Sequence, residues 1–471
     1  MVSSAVNRSI SPGADRGWAA ATVLLVLAGI ACSDSRPVAL PAPTSVGVEP
    51  ESAPVAWGVD RPGMAAAVDA WLADPTTRAA LALVDAVRAG GSVDDAPYLV
   101  DLVRMSGSSE VWRATIAALS DLRGGDPPPT DVNAAYVELG SWVLDQSPRP
   151  GPRYRTFKAA LYGELDERFA PLLAAVEDPS LLVAIQWGGV RVGEIRELNQ
   201  PVRRPLDQMG WAVPDEIVFE VEVGGGTVVY PRRVIGPHEL ANDSVTDGAG
   251  GSVPFGVSYC SLCRTAVAFD RRVDGRVLTL KTSGLLLEAN KLMVDDQTGS
   301  LWRQATGEAV SGPLRGARLA LLPVRAVTLG ELDIDANPSV LDLPEPFILD
   351  RETGTLTSYP YTDTEPLPDY VAEGRLWFPV AGVGGEEDPL ADVATVEVSG
   401  AALAVDVGAL EPGARVDIDL GVARVRVEQG PAGPRFYRVE VTGATVELAA
   451  GREAWFAWLA RHPHTVRWPR R

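Results

Sequence analysis

Two cysteines separated by two residues are the strongest candidates for chemistry in this sequence. They are Cys260 and Cys263, and the 471-residue chain contains only one other cysteine. A pair this close can exchange a disulfide with another molecule, bind a metal ion through two thiolates, or form a structural disulfide. A structural disulfide would close a very short loop and stabilise the fold weakly. Redox exchange and metal binding are therefore the two leading hypotheses for the pair.

Binding of a metal ion would need more ligands than these two thiolates. The chain has no second C-x-x-C motif, which excludes a zinc site with four cysteine ligands from this chain. His238, one of three histidines, could complete a copper or zinc site with Cys260 and Cys263. In the redox hypothesis the same histidine would instead favour a thiolate. Both hypotheses predict that His238 lies near the sulfurs.

The pattern around the cysteines is typical of β-strands. Alternate positions before and after the pair carry residues that favour strands, namely Phe255, Val257, Tyr259, Thr265, Val267 and Phe269. This alternation predicts that the cysteines lie at a turn or kink between two strands. Thioredoxin-like proteins place the motif at the start of a helix instead, so the pattern argues against a thioredoxin.

Further motifs surround the pair in a fixed order. They read Y-P-x-R and H-E-x-x-N-D before it, and S-G-L-L and S-L-W-x-Q-x-T-G-E after it, with R-E-A-W near the C-terminus. This order resembles the DUF3179 family, a domain of unknown function, over about residues 195–471. Members of that family sometimes carry selenocysteine in the pair, which implies redox chemistry. One departure is Arg264, where such motifs more often have glycine.

The motifs supply the other candidate site residues. We predict a catalytic set of four residues: Cys260, Cys263, His238 and Glu239. We predict a binding set of five: Asn242, Asp243, Asn290, Trp302 and Gln304. Glu239, Asn242 and Asp243 could act as acid–base or orienting groups, or cap the loop that carries His238. Trp302 and Gln304 could form the floor of a pocket beside the sulfurs, although a buried tryptophan also fits the core.

The N-terminus has the pattern of an export signal. Arg8 and Arg16 precede an apolar run that ends at Ala31, and Cys32 follows. Residues 1–31 therefore predict a signal peptide, and the small residues before Cys32 resemble a bacterial lipidation motif. Residues 32–58 follow, and most of this segment is rich in Ser, Pro, Ala and Val, which predicts a lipidated tether. We expect an extracytoplasmic protein of the cell envelope that is anchored to a membrane by lipid.

Charge narrows the range of partners. Acidic residues outnumber basic ones 62 to 42, and the net charge of −20 disfavours nucleic acid as a partner. The only lysines are Lys158, Lys281 and Lys291, a scarcity that we interpret as compositional bias. No feature of the sequence identifies a redox partner.

The predicted fold class is α+β, with an α-helical N-terminal domain and a mainly antiparallel β domain. Helical periodicity over residues 59–190 resembles a HEAT-type hairpin, which could bind a protein partner. Period-two patterns then predict two related β halves, 195–345 with the cysteine site and 346–471 with an aromatic C-terminal helix. The hairpin predicted at 217–235 has a counterpart at 394–410. The remaining functional hypothesis is a non-catalytic envelope scaffold.

Overall fold

The computed structural model describes residues 55–469, apart from 212, 333–337, 343–347, 350–355, 358–366, 384–387, 432 and 449. At 348–349 and 356–357 only the backbone is described. The predicted signal peptide, Cys32 and the tether up to residue 54 lie outside the described residues. The end of the tether prediction is described: Trp57 and Gly58 are hydrogen-bonded to Glu177 and Pro150 of the helical region. No helix in the described part of the chain is long and apolar enough to cross a membrane.

Eight α-helices form the first part of the described chain. They are α1 (Pro62–Ala73), α2 (Thr77–Gly90), α3 (Ala96–Met105), α4 (Ser109–Arg123), α5 (Val132–Asp145), α6 (Arg153–Gly163), α7 (Phe169–Ala174) and α8 (Pro179–Ala184). Residues three and four positions apart, such as Leu83, Val84 and Val87 on α2, are buried together. The prediction of a helical N-terminal region is confirmed.

Most of the strands follow α8. They are β1 (Ile185–Trp187), β2 (Leu198–Asn199), β3 (Arg203–Pro205), β4 (Ile217–Val223), β5 (Gly226–Pro231), β6 (Leu240–Thr246), β7 (Ser252–Cys260), β8 (Thr265–Asp270), β9 (Arg272–Val273), β10 (Arg276–Val277), β11 (Leu280–Leu287), β12 (Asn290–Asp295), β13 (Leu301–Arg303), β14 (Ala309–Ser311), β15 (Leu321–Leu322), β16 (Val324–Thr328) and β17 (Ser339–Leu341). Helix α9 (Arg232–His238) lies between β5 and β6. The predicted hairpin therefore ends at Pro231, earlier than residue 235, because proline cannot donate to a further strand and can precede a helix.

The last part of the chain adds two helices and ten strands to the described structure. They are β18 (Ile348–Leu349), β19 (Leu356–Thr357), α10 (Pro368–Glu373), β20 (Asp392–Val398), β21 (Ala401–Asp406), β22 (Arg415–Asp419), β23 (Arg424–Gly430), β24 (Gly433–Val439), β25 (Thr445–Leu448), β26 (Gly451–Ala454), α11 (Trp455–Arg461) and β27 (Val466–Trp468). Most neighbouring strands pair antiparallel. The α+β class is confirmed.

Two sheets matter most for the cysteines. One has the strand order β15-β8-β7-β6-β2 and the other β1-β11-β12-β13-β14. Strand β1 pairs with β11 through Ile185 to Leu287 and Trp187 to Leu285, so the end of the helical region completes the second sheet. The buried cluster that contains both cysteines also includes side chains from α1 to α8 and from α11. Helical and β regions therefore share one core around the pair.

Two other sheets have the same pairing pattern. In the first, the hairpin β4–β5 is flanked by β16, antiparallel to β4, and by β17, parallel to β5. In the second, the hairpin β20–β21 is flanked by β26, antiparallel to β20, and by β27, parallel to β21. A short helix lies between the two flanking strands in each case. It is a single turn at Leu329–Glu331 between β16 and β17, and it is α11 between β26 and β27.

Candidate functional site

The cysteine pair lies at the connection between two adjacent antiparallel strands. Cys260 ends β7, Thr265 begins β8, and these two residues are directly opposite each other. Cys263 lies in the connection, and both cysteines are free thiols. The predicted turn between strands is confirmed. Since Cys260 is only 2% exposed and Cys263 0%, a reaction partner must enter the protein to reach either sulfur.

The backbone of Arg264 has a conformation that favours glycine, the residue that the family resemblance predicts at this position. Its φ of 52° lies in the left-handed region. For a residue with a side chain that conformation costs roughly 1–2 kcal/mol, whereas glycine adopts it freely. The guanidinium of Arg264 donates a hydrogen bond to the carbonyl of Leu390, which offsets part of this cost.

The sulfur of Cys263 accepts a hydrogen bond from a buried amide. Nδ2 of Asn290 donates to Sγ of Cys263 over 2.9 Å and to Oε1 of Gln304 over 3.0 Å. Nε2 of Gln304 donates to the backbone carbonyls of Ser258 and Thr265 over 3.2 and 3.0 Å. Because carbonyls only accept, they fix the orientation of Gln304, and its Oε1 then fixes the orientation of Asn290. Strands β7 and β8 thereby hold an N–H group against Cys263.

These hydrogen bonds favour a thiolate at Cys263. Burial by itself raises the pKa of Cys263, but hydrogen bonds from Cys260, Thr265 and Asn290 outweigh burial and lower it below the ordinary value. Burial raises the pKa of Cys260 well above its ordinary value, and the hydrogen bond to Cys263 raises it further. The opposite directions of the two pKa shifts mean that, when the pair loses its first proton, the negative charge is favoured on Cys263 and the remaining proton on Cys260.

A cavity of about 330 Å³ reaches one of the two cysteines. Cys260 lines this cavity, together with Ser261 and Leu262, whereas Cys263 is not among the lining residues. The remaining wall is mainly apolar and includes Val190, Ile195, Leu285, Leu286, Leu367, Trp377 and Phe378. A ligand in the cavity would therefore meet the sulfur of Cys260 first.

A buried ion pair forms the polar side of the cavity. Nζ of Lys291 lies 2.9 Å from Oε2 of Glu239 and donates to the backbone carbonyls of Glu239 and Tyr259 over 2.9 and 2.6 Å. Thr282 also donates to Oε2 of Glu239, over 3.4 Å. The charge of Lys291 opposes the rise in the pKa of Cys260. The cation that acts on Cys260 is thus a lysine that the sequence analysis assigned to composition.

His238 lies beside the cavity wall at the end of α9. Its neighbours Pro237 and Glu239 line the cavity, and His238 itself is buried. Nδ1 of His238 donates to the carbonyl of Arg196 over 2.8 Å. Burial lowers the pKa of His238, which favours a neutral imidazole at pH 7. Its predicted action on the two thiols stays a prediction.

Two of the predicted binding residues tie strands together. Asn242 donates to Asn199 and to the carbonyl of Leu280, and accepts from the amide of Leu280, so it joins β6 to β2 and β11. Asp243 accepts a hydrogen bond from Tyr230 over 2.6 Å. It also pairs with Arg203 at 3.4 Å. These contacts hold the sheets that carry the site.

Gln304 accepts a hydrogen bond from Asn290, which also donates to the sulfur of Cys263. Trp302 belongs to a different part of the core. Trp302 is fully buried in a cluster with Leu240, Phe269 and Met293. Its Nε1 donates to Asp295 over 2.9 Å. This position agrees with the alternative that we gave for Trp302, a residue of the core.

Sequence reasoning missed four residues at the site: Lys291, Thr265, Glu453 and Tyr370. Glu453 accepts from Thr265 at 3.5 Å, pairs with Arg461 at 2.6 Å, and its charge acts to raise the pKa of Cys263. Burial raises the pKa of Tyr370, and the charges of Cys263 and Cys260 raise it further, because Tyr370 lies close to the pair. Two signals were available: the scarcity of lysine, and the place of Glu453 in the C-terminal motif.

The predicted aromatic C-terminal helix is α11, and it contacts the site. The amide of Ala454, just before α11, donates to the carbonyl of Cys263 over 2.8 Å. Phe456 belongs to the buried cluster that contains both cysteines. Trp455 and Trp458 instead pack in a smaller cluster with Val393. The end of β26, which leads into α11, is therefore bonded directly to the connection that carries Cys263.

The described residues contain no group of three or more His, Cys, Asp and Glu side chains placed to hold a metal ion. Cys260, Cys263 and His238 do not form such a group in this structure. Two thiolates remain as candidate ligands for copper, which can be held by thiolates alone.

Replacing Asn290 by alanine is expected to lower the thiolate fraction of Cys263, because the pKa of Cys263 rises when a donor to the sulfur is lost. A hydrogen bond to a charged group is worth roughly 1.5–3 kcal/mol, so the thiolate fraction of Cys263 below the titration midpoint should fall at least about tenfold. The ultraviolet absorbance of the thiolate, followed against pH, measures this fraction without a reagent having to reach the buried sulfur.

Asn242→Ala is the matched control. Asn242 is also a buried amide, but its hydrogen bonds go to Asn199 and Leu280 and join β6 to β2 and β11. It should lower stability and leave the pH profile of Cys263 in place. Equal profiles for Asn290→Ala and the unchanged protein would refute the role of Asn290.

Comparison with known proteins gives one match. A family model described as a protein of unknown function, DUF3179, matches residues 193–465, more than half of the chain. No curated protein matches the sequence, and no solved structure matches it. The matched region contains the cysteine pair, the amides that bond to it and the ion pair of the cavity. The chain belongs to the DUF3179 family.

Proposed function

We propose that this protein is a thiol–disulfide oxidoreductase of the cell envelope, with Cys260 as the attacking thiol and Cys263 as the resolving thiolate. One observation carries the proposal: a free pair in which Cys260 lines a cavity while Cys263 accepts the N–H of Asn290. The lowered pKa of Cys263 supports the proposal because a thiolate there can take the proton of Cys260 and can later act as the second nucleophile.

The chemistry needs a proton shift and two exchanges. Cys260 passes its proton to Cys263, and the new thiolate, beside the charge of Lys291, attacks one sulfur of a substrate disulfide. The substrate S–S bond breaks, a mixed disulfide forms on Cys260, and the leaving thiolate takes the proton back from Cys263. The thiolate of Cys263 then attacks the sulfur of Cys260. The Cys260–Cys263 bond forms, the second half of the substrate leaves as a thiolate that water protonates, and two electrons have passed to the substrate. An external dithiol must reduce the pair again.

Incubation of the reduced protein with hydroxyethyl disulfide is expected to convert both thiols to one internal disulfide. Intact-mass measurement would show the loss of two hydrogens, and peptide mapping would place the bond between Cys260 and Cys263. Metal content is measured in parallel on protein purified without chelator. Thiols that stay protected by a bound copper or zinc ion would favour the metal hypothesis. Unreactive thiols without metal would favour a scaffold.

We also propose export and lipidation at Cys32, as the N-terminal sequence indicates. The residues concerned precede the described structure, so the support is the charged start, the apolar run and the small residues before the cysteine. An extracytoplasmic site fits a thiol pair whose partner supplies or takes electrons outside the cytoplasm.

We propose further that the β region consists of two related halves. The support is the shared pairing pattern of β4–β5–β16–β17 and β20–β21–β26–β27. Each half also contains an antiparallel series, β6–β8 in the first and β22–β25 in the second. Both cysteines, Asn290, Gln304 and the ion pair of Glu239 with Lys291 belong to the first half, whereas Glu453 and Tyr370 belong to the second. The second half would then serve mainly to support the site, through Ala454, which bonds to Cys263, and through Tyr370.

A further inference from the structure

We propose that the substrate of this site is a small, uncharged and mainly apolar disulfide, rather than a protein disulfide or an anionic one. This inference rests on the proposed function and concerns what the cavity at Cys260 admits. The burial of the sulfur, the size and lining of the cavity and the pairing of its charges support it.

Burial and size limit the substrate to a small molecule. With Cys260 only 2% exposed, a disulfide on the surface of a folded protein cannot reach the sulfur unless it enters the cavity. An apolar cavity of about 150 Å³ holds benzene, so roughly 330 Å³ has room for about a dozen heavy atoms. Glutathione disulfide has more than three times that number, so most of the molecule would have to stay outside the cavity.

The charges of the cavity disfavour an anion. Lys291 has three donors, and all three are used, by the carboxylate of Glu239 and by the carbonyls of Glu239 and Tyr259. Lys291 is therefore a poor partner for a substrate carboxylate. Oε2 of Glu239 is engaged by Lys291 and Thr282, and its side chain remains 16% exposed, so it presents negative charge to an incoming group. Among the described residues, Lys291 is the only cationic side chain that lines the cavity.

The apolar wall of the cavity favours a substrate with alkyl groups. Leu262 follows directly on the Cys260-Ser261 segment, and Leu285, Leu286, Trp377 and Phe378 face the same space. Alkyl groups on either side of a disulfide would bury their surface there, at about 0.8 kcal/mol per CH₂ group as a general scale. A neutral substrate thus gains from the wall without a charge to desolvate.

The test compares two disulfides of matching chain length, dipropyl disulfide and dithiodipropionate. The reduced protein is mixed with each disulfide, and the rate at which its internal disulfide forms is measured. Each rate is divided by the rate at which dithiothreitol reduces the same reagent, which corrects for the intrinsic reactivity of the two disulfides. The normalised rate for dipropyl disulfide is expected to be at least about tenfold higher. Equal normalised rates, or a faster reaction with the dicarboxylate or with a disulfide-bonded protein, would overturn the inference.

Two variants separate this inference from the proposed function. Glu239→Gln leaves Lys291 as a net positive charge and is expected to shift the rate ratio toward dithiodipropionate several-fold. An unchanged ratio would count against the charge argument. Cys260→Ser is expected to abolish exchange with both reagents. If exchange continues in that variant, the proposed function fails; if exchange needs Cys260 but favours the anion, only the substrate class fails.

Discussion

Replacing Cys263 by serine is expected to stop turnover and to leave a substrate bound to Cys260 as a mixed disulfide. The first exchange uses the sulfur of Cys260, which lines the cavity, and slows when Cys263 no longer takes its proton, whereas release needs the attack of Cys263 itself. Steady-state reduction of hydroxyethyl disulfide should fall roughly 10³-fold or more, as when a nucleophile is removed from a covalent mechanism. Intact-mass measurement would show the trapped adduct.

Cys260→Ser is the matched control, since it removes the other sulfur by the same change. It should lose turnover equally but form no adduct, because Cys263 does not line the cavity. An adduct on Cys263 in this control, and none on Cys260 in the other variant, would reverse the assignment of the two roles.

Replacing Lys158 by methionine is expected to lower the free energy of unfolding by about 3–5 kcal/mol, the cost typical of breaking a buried ion pair. Lys158 is fully buried on α6, lies 3.2 Å from Asp101, and donates to the carbonyl of Ile185 over 2.6 Å. Methionine has a similar volume but leaves Asp101 with only the hydroxyls of Tyr154 and Tyr162. Urea denaturation followed by tryptophan fluorescence measures the change.

Lys281→Met is the control for this prediction. Lys281 pairs with Asp296 at 2.6 Å, but the two side chains are 25% and 45% exposed, so the same substitution should cost at most about 1 kcal/mol. Adding Asp101→Asn to Lys158→Met should recover part of the loss by removing the unpaired charge. Equal losses at Lys158 and Lys281 would show that the buried network contributes little.

Part of the site was predictable because its signals are local. A strand pattern on both sides of C-x-x-C places the pair at a turn, and the structure confirms this for Cys260 and Cys263. Asn290 and Gln304 were predicted from motifs, and they bond to each other and to Cys263. The roles within the set were harder to predict. Whether an amide donates to a sulfur depends on the carbonyls behind it, which come together only on folding.

The residues that were missed act over long sequence distances. Glu453 meets Thr265 across 188 positions, and no periodic pattern records such a contact. Lys291 was set aside because a scarce residue type was attributed to composition, although its three contacts lie on the strand that carries Tyr259 and at the end of α9. For the fold, helices and hairpins followed from periodicity, whereas the pairing of β1 with β11 had no local signal.

The pairing of β1 with β11 links the helical region and the cysteine domain in evolution. The family region begins at residue 193, yet β1, which closes one edge of the β11 sheet, lies at Ile185–Trp187. An open sheet edge invites pairing with another chain, and this one would carry Leu285, Leu286 and Leu287. A relative without the preceding helices would have to close that edge with a strand of its own. In evolutionary terms, the helices and the cysteine domain of this chain would have to be exchanged together.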